Sequence, residues 1–251
     1  MVQFLIVDSD SVTVRSGEEI EKEIQAHARE EWPNEVVGCV LDGSYVRLEN
    51  RSDNPTERFY VPSGEFPDDA QALVHSHTKD IAHPTADDMR QQQAMDIPWG
   101  IVSVQRIEDP IRPTEWFGDQ CPVPSLVGRS FLSGVRDCWS IVRDWFRTNH
   151  DISLDQLPRD HDWYKPPEVD LLNPNTIESA GFVHVSKDSL QVGDVILGKI
   201  GSRVTNHSGL YWGNNLVLTQ IEGQGRLSKT EPVNRWLKQS DYVVRHSSLV
   251  E

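Results

Sequence analysis

The sequence predicts an α+β protein of two domains, and three observations carry that expectation. The chain has 251 residues, more than one domain of roughly 100–200 residues needs. The stretch Asp109 to Val127, DPIRPTEWFGDQCPVPSLV, holds Pro110, Pro113, Pro122 and Pro124 and shows no helical period. Proline fixes φ and removes a backbone donor, so this stretch reads as an extended connection. On its two sides the apolar periods differ: helix and strand patterns mix before it, and helices precede strands after it. The expected division is 1–108, a connector 109–125, and 126–251.

In the first half, MVQFLIVDSD opens as a short apolar strand. Ser16 then reads as a helix cap with Glu19 as its capping-box partner. Ile20, Ile24, His27/Ala28 and Trp32 follow at three-to-four-residue spacing, and Pro33 stops the helix. VVGCVL, YVRLEN and RFYVP read as strands, with Asp42-Gly43 as a turn. ALVHSH is a further strand, Pro84 to Met95 a helix with proline near its start, and WGIVSVQ a last buried strand. In the second half a helix runs from about Asp137 to Arg147, with Ile141, Val142, Trp145 and Phe146 on one face. A short helix ends at Ala180-Gly181. DVILGKI, HSGLYWG, NLVLTQI and DYVVRH are strands, and Gly213-Asn214-Asn215 is a hairpin turn.

Composition narrows the class. Hydrophobic residues make up 37% and charged residues 25% of the chain, which suits a folded globular protein. Lys and Arg number 24 against 39 Asp and Glu, a net charge of −15. A nucleic-acid binder presents a basic face, and an anionic bilayer recruits basic segments; neither partner is expected. No apolar run approaches the roughly 18 residues of a membrane span. The N-terminal segment lacks the basic region and small-residue cleavage site of a signal peptide, so the expected product is made in the cytoplasm and, if exported, leaves by another route. Cys39, Cys121 and Cys138 leave at least one free thiol and match no zinc-finger spacing, which excludes a disulfide-stapled scaffold. Cys39, inside a buried strand, reads as a small core residue.

Two constellations carry chemistry. His75 and His77 lie two apart on a strand and so share a face. Asp88, in the next helix, supplies a third ligand. Two imidazoles and one carboxylate leave a coordination position open, the pattern of a catalytic zinc. Such a site needs a base, and Glu35 is the candidate. The full string, Pro33-x-Glu35-x-x-Gly38, His75-x-His77 and Thr85-x-x-Asp88, resembles the JAMM (MPN+) metalloprotease signature over roughly the first 108 residues. The resemblance implies Zn2+ held by His75, His77 and Asp88, Glu35 as general base, and a JAMM-like mixed α/β domain. Thr85 stands where the family has Ser as hydrogen-bond donor to the oxyanion. His83 reads as a loop residue.

Cys138 falls in the first turn of a helix, where unpaired N–H groups favour a thiolate. His207, opening a strand, is the expected base, and a polar residue must orient its ring. Asp137-Cys138-Trp139-Ser140, Leu190-Gln-Val-Gly-Asp194 and His207-Ser-Gly-Leu-Tyr-x-Gly213 resemble the NlpC/p60 cysteine peptidases over residues 126 to 251. That resemblance implies a papain-like domain, with Cys138 as nucleophile and His207 as base. The family often has His twelve positions after the base, at Thr219 here. Gln220 is the chemically better orienter and is taken as the third residue, with Thr219 as the alternative; a one-residue shift flips the face. His150, His161 and His184 read as solvated.

The pairing of the two domains resembles a family of tail tip proteins of long-tailed phages. It implies tail tip and tail fibre proteins and peptidoglycan peptides as partners, and a place in the virion tail or its assembly complex. A silent plug or scaffold, and a bacterial isopeptidase for ubiquitin-like conjugates, are the competing expectations.

Overall fold

A computed structural model describes residues 17–79, 82–166, 168–223 and 226–250. The opening strand and the Ser16 cap lie outside these residues. The architecture is α+β. The chain divides into two compact units, Met1–His83 with Arg90–Pro122, and Pro84–Met89 with Val123–Glu251. Among the described residues no helix is long and apolar enough to cross a membrane.

The first unit is a five-stranded sheet with helices. α1, Gly17–Glu30, buries Ile20, Ile24, His27 and Ala28, the face its spacing predicts. β1, Val37–Leu41, and β2, Ser44–Leu48, form a hairpin. Its turn takes positive φ at both Asp42 and Gly43, as a type I′ turn requires. β3, Ala72–His77, is buried along its whole length and pairs antiparallel with β1. The chain then crosses through α2, Ala86–Met95, to β4, Trp99–Ser103, which lies parallel to β3. β2, β1, β3 and β4 lie side by side in that order, with a fifth strand, β5, Glu115–Phe117, beyond β4.

Two expectations fail here for identifiable reasons. RFYVP forms no strand; it puts the Phe59 ring against His75 and Trp99, at 4.8 and 6.1 Å. Packing, not a hydrogen-bonded ladder, uses its Phe59, while Tyr60 is exposed. The connector is not simply a linker either. Its middle, Glu115–Phe117, is β5 and adds an antiparallel edge strand beside β4. The flanking prolines are tolerated because an edge strand leaves one side unpaired.

Gly38 of the Pro-x-Glu-x-x-Gly string lies beneath the Tyr45 ring. A Cβ there would meet that ring at 2.5 Å. The Tyr45 hydroxyl in turn reaches His27 Nδ1 at 2.9 Å. Burial, aided by the nearby Arg47 charge, holds His27 neutral, its pKa lowered to about 4.

The second unit packs helices on a six-stranded sheet. α3, Cys138–His150, and α4, Pro174–Ser179, precede it in the chain. The strands are β6, Phe182–Val185, β7, Val195–Gly198, β8, His207–Gly213, β9, Leu216–Thr219, β10, Lys229–Pro232, and β11, Ser240–His246. α5, Val233–Gln239, joins the last two. Strands β6 and β10 and helix α5 escape the sequence pattern: β6 reads buried-exposed-exposed, and β10 is exposed or half-buried throughout. One face of α3, with Trp139, Ile141, Val142, Trp145 and Phe146, enters a core with Phe182, Val195, Leu197, Leu210 and Leu218.

Candidate active sites

The first candidate site grows from β3. His75 and His77 project from the same side of a fully buried strand, and their Nε2 atoms lie 3.1 Å apart. His75, His77 and Asp88 each offer a donor atom, and these atoms all lie within 4.8 Å of one another. Two nitrogens bound at 2.0–2.1 Å to a tetrahedral zinc would stand about 3.3 Å apart. The donor set therefore suits a small divalent cation.

Asp88 is placed by its own helix cap. Its Oδ2 accepts from the Thr85 backbone N–H and from the Thr85 hydroxyl, both at 2.8 Å, while Asp88 N–H donates back to Thr85 Oγ1 at 3.1 Å. This is a capping box with Asp in the acidic position. The hydroxyl expected at an oxyanion instead holds the carboxylate. Glu35, buried at the entry to β1, is placed by register. Val37 pairs with His75, and Val36 exchanges hydrogen bonds with Ser76, through its carbonyl to the Ser76 N–H and through its N–H to Ser76 Oγ. Continued one step, this alignment sets Glu35 opposite His77, on the same face.

The second candidate site grows from the start of α3. Asp137 caps the helix, its Oδ1 accepting from the Ser140 N–H and hydroxyl at 3.0 and 2.9 Å. Its other oxygen takes Arg159 at 2.6 and 3.2 Å and the Gly134 N–H at 2.8 Å. Burial alone would raise this carboxyl, but the Arg159 charge and these hydrogen bonds outweigh it and hold the pKa down to about 2. Cys138 follows immediately, at the first helical position.

The thiol is not depressed, contrary to the helix-terminus expectation. Desolvation and the adjacent Asp137 carboxylate push its pKa up. Hydrogen bonding from Ser208 and the Arg159 charge oppose this without reversing it. Burial first, and then the capping aspartate at the same helix terminus, outweigh the partial positive charge that would favour a thiolate. His207 opens β8. Desolvation lowers its pKa to about 4 against the raising effects of Asp137 and Glu231. At neutral pH the resting pair is thiol and neutral imidazole.

His207 Nε2 meets Thr219 Oγ1 at 2.7 Å, and its ring stacks on Trp236 at 4.9 Å and 26°. Gln220 does not reach the imidazole; its amide donates to the Arg129 carbonyl at 3.2 Å. The register explains this correction. Leu210 pairs with Leu218, so His207 and Thr219 share a face diagonally across the ladder. β9 ends at Thr219, and Gln220 turns away. Spacing marked Thr219; side-chain chemistry wrongly favoured its neighbour.

Cys138 and His207 line one cavity of about 230 Å³ with Phe131, Trp163, Tyr164 and Leu172. His161, expected to be solvated, stands at this cavity and pairs with Glu222 at 3.1 Å. Arg159, Ser208 and Trp236 were not foreseen. Nothing in sequence spacing ties Arg159 to Asp137, and Trp236 belongs to the unforeseen α5.

Residues 124–245 match the NlpC/P60 family. The tail tip assembly protein K of Escherichia phage lambda is 32% identical over 176 residues, which cover 70% of this chain and 81% of that protein. The chain belongs to the tail tip assembly protein K family. The member from Escherichia phage N15 is 29% identical over 236 residues, 90% of this chain and 93% of the relative. The second unit of this family member thus carries an NlpC/P60 cysteine-peptidase domain, and Cys138 and His207 both fall within the matched span.

Proposed function

We propose that this tail tip protein carries two hydrolytic centres: a cysteine endopeptidase acting on murein peptides, and a zinc-dependent (iso)peptidase acting on a tail protein. In this reading the protein works at the tail tip, with tail tip and tail fibre proteins as partners, during assembly and cell-wall penetration. The observation that carries the thiol assignment is one cavity holding Cys138 and His207, with the His207 ring tied to Thr219.

The thiol chemistry follows from the neutral resting pair. With Nε2–H donated to Thr219 Oγ1, Nδ1 is the basic nitrogen. It takes the thiol proton as Sγ bonds to the scissile carbonyl carbon, so thiolate forms only during attack. Collapse of the tetrahedral adduct breaks the C–N bond, and the imidazolium gives its proton to the departing amine. A thioester remains. Water then adds with His207 as base, the C–S bond breaks, and the thiol is restored. The buried Asp137 carboxylate favours the transient imidazolium.

At the other centre, a bound zinc would supply Lewis acidity and a water made acidic enough to serve as nucleophile at neutral pH. His75, His77 and Asp88 would hold it. Thr85 fixes Asp88, and Glu35 takes and returns the proton. The buried sheet face around Trp99 and Phe59 excludes bulk water from the imidazoles.

A silent scaffold or plug is the second reading, and one observation favours it: the raised thiol pKa, which an inert buried cysteine would share. Acid-quenched intact-mass spectrometry separates the two. Incubation with sacculus-derived peptides is expected to give an acyl adduct on Cys138 and released fragments. Neither adduct nor fragments would favour the scaffold.

A further inference from the structure

We infer that the thiol centre has a second, cationic subsite on the far side of His207 and Trp236, which takes a carboxylate-bearing peptide strand. The inference rests on the proposed peptidase reading and deepens it. The chain carries a net charge of −15, yet one groove of about 1210 Å³ reverses that sign. Among the described residues, Lys199, Arg226, Lys229 and Arg235 line it against one carboxylate, Glu231. Glu231 is already engaged, by Lys229 at 2.8 Å and by the Trp236 indole N–H at 3.1 Å. Lys199 has an outside partner, Asp241, at 3.5 Å. Positive charge therefore remains in excess, centred on Arg226 and Arg235.

Two features tie this groove to the chemistry. Its wall includes Thr219, whose hydroxyl meets His207, and Trp236, whose ring stacks on that imidazole. Ile200 and Ile221 line both the groove and the Cys138 cavity. A peptide crossing these isoleucines would hold its scissile bond at Cys138 and its carboxylates among the guanidinium groups. Arginine suits that task, since its planar fork matches a carboxylate in two-point contact. The groove's excess positive charge also draws acidic substrate against the otherwise repelling field of the chain.

The test measures binding, so it does not depend on turnover. Cys138→Ala protein is titrated with Ala-γ-D-Glu-diaminopimelate and with its fully amidated form, followed by tryptophan fluorescence at low salt. An α-linked acidic peptide of equal charge is the second arm. The carboxylate form is expected to bind about ten-fold more tightly than the amide, a preference that shrinks as salt screens it. Arg226→Ala/Arg235→Ala protein, with circular dichroism unchanged, should lose that preference. Equal binding of the α-linked peptide would assign the groove to carboxylates of protein as well as murein origin; preference for the γ-linked peptide assigns it to murein. No preference for carboxylate in the parent, or a preference kept in the double variant, overturns the subsite. Binding with that preference but no hydrolysis by the Cys138 protein would instead sink the peptidase reading and leave the subsite standing.

Discussion

The two candidate centres are built in opposite ways. At the first, three candidate donor residues come from one short stretch of chain, two on alternate positions of β3 and one at the third position of α2. Helix capping and strand alternation, both local rules, place all three. At the second, the partners come from distant segments, Cys138 on α3, Arg159 in a loop, His207 on β8, Thr219 on β9 and Trp236 on α5. Long-range packing places them, and it also sets their charge state. The difference teaches that local geometry can assemble a charged donor cluster, whereas a thiol–imidazole pair owes its protonation to the whole fold around it.

The most complete effect should appear at the first centre. Purified protein is expected to carry about one divalent ion per chain, zinc by ligand type. Elemental analysis should find it lost in His75→Ala and kept in Glu35→Gln, since the base is not a ligand. Equal metal in His75→Ala and parent would reduce the cluster to two hydrogen-bonded histidines.

At the second centre the largest structural effect should come from Asp137. Asp137→Ala strands the buried Arg159 guanidinium and is expected to lower stability by about 3–5 kcal/mol, read by urea denaturation. The pair also has an acid signature. A carboxyl held at about 2 stabilises above its unfolded value near 3.9 and loses that contribution as pH falls toward 2. His27 and His207, both lowered to about 4, act earlier: the unfolded chain binds their protons below about 6.5, so stability falls from there toward pH 4. Acid titration should therefore show stability declining well before carboxylates titrate. A flat profile between pH 6.5 and 4 would mean that these imidazoles are not held neutral.

A smaller effect discriminates the third residue. Thr219→Val should reduce kcat about 10–100-fold by freeing the imidazole, while Gln220→Leu should do less. The reverse order would restore Gln220 as orienter. The mildest signature lies in alkylation. Because the thiol pKa is raised, iodoacetamide should label Cys138 slowly at pH 6 and progressively faster above pH 9. Fast labelling at pH 6 would show a resting ion pair.

Much of this fold is legible in the sequence, and the exceptions have physical causes. The β3 histidines, the α1 face and the Gly213-Asn214-Asn215 turn follow from periods of two and 3.6 and from positive-φ residues. RFYVP, β5, β6, β10 and α5 do not, because edge position and tertiary packing, rather than pattern, decide them. Among site residues, spacing brings the donor atoms of His75, His77 and Asp88 within 4.8 Å of one another and sets Cys138 and His207 on one cavity. Thr85 spends its hydroxyl on Asp88, Gln220 yields to Thr219 by register, and the thiol pKa moves opposite to the helix-terminus rule because burial, with the Asp137 carboxylate beside it, disfavours the thiolate.

The central claim is that the thiol centre cuts murein peptides without help from a metal. It is tested most directly by incubating purified sacculi with the protein, with and without a zinc chelator, and following released peptides by mass spectrometry beside Cys138→Ser. Release is expected to survive the chelator and to fall by about 10³-fold or more in Cys138→Ser. Release that the chelator abolishes and Cys138→Ser leaves intact would contradict the assignment.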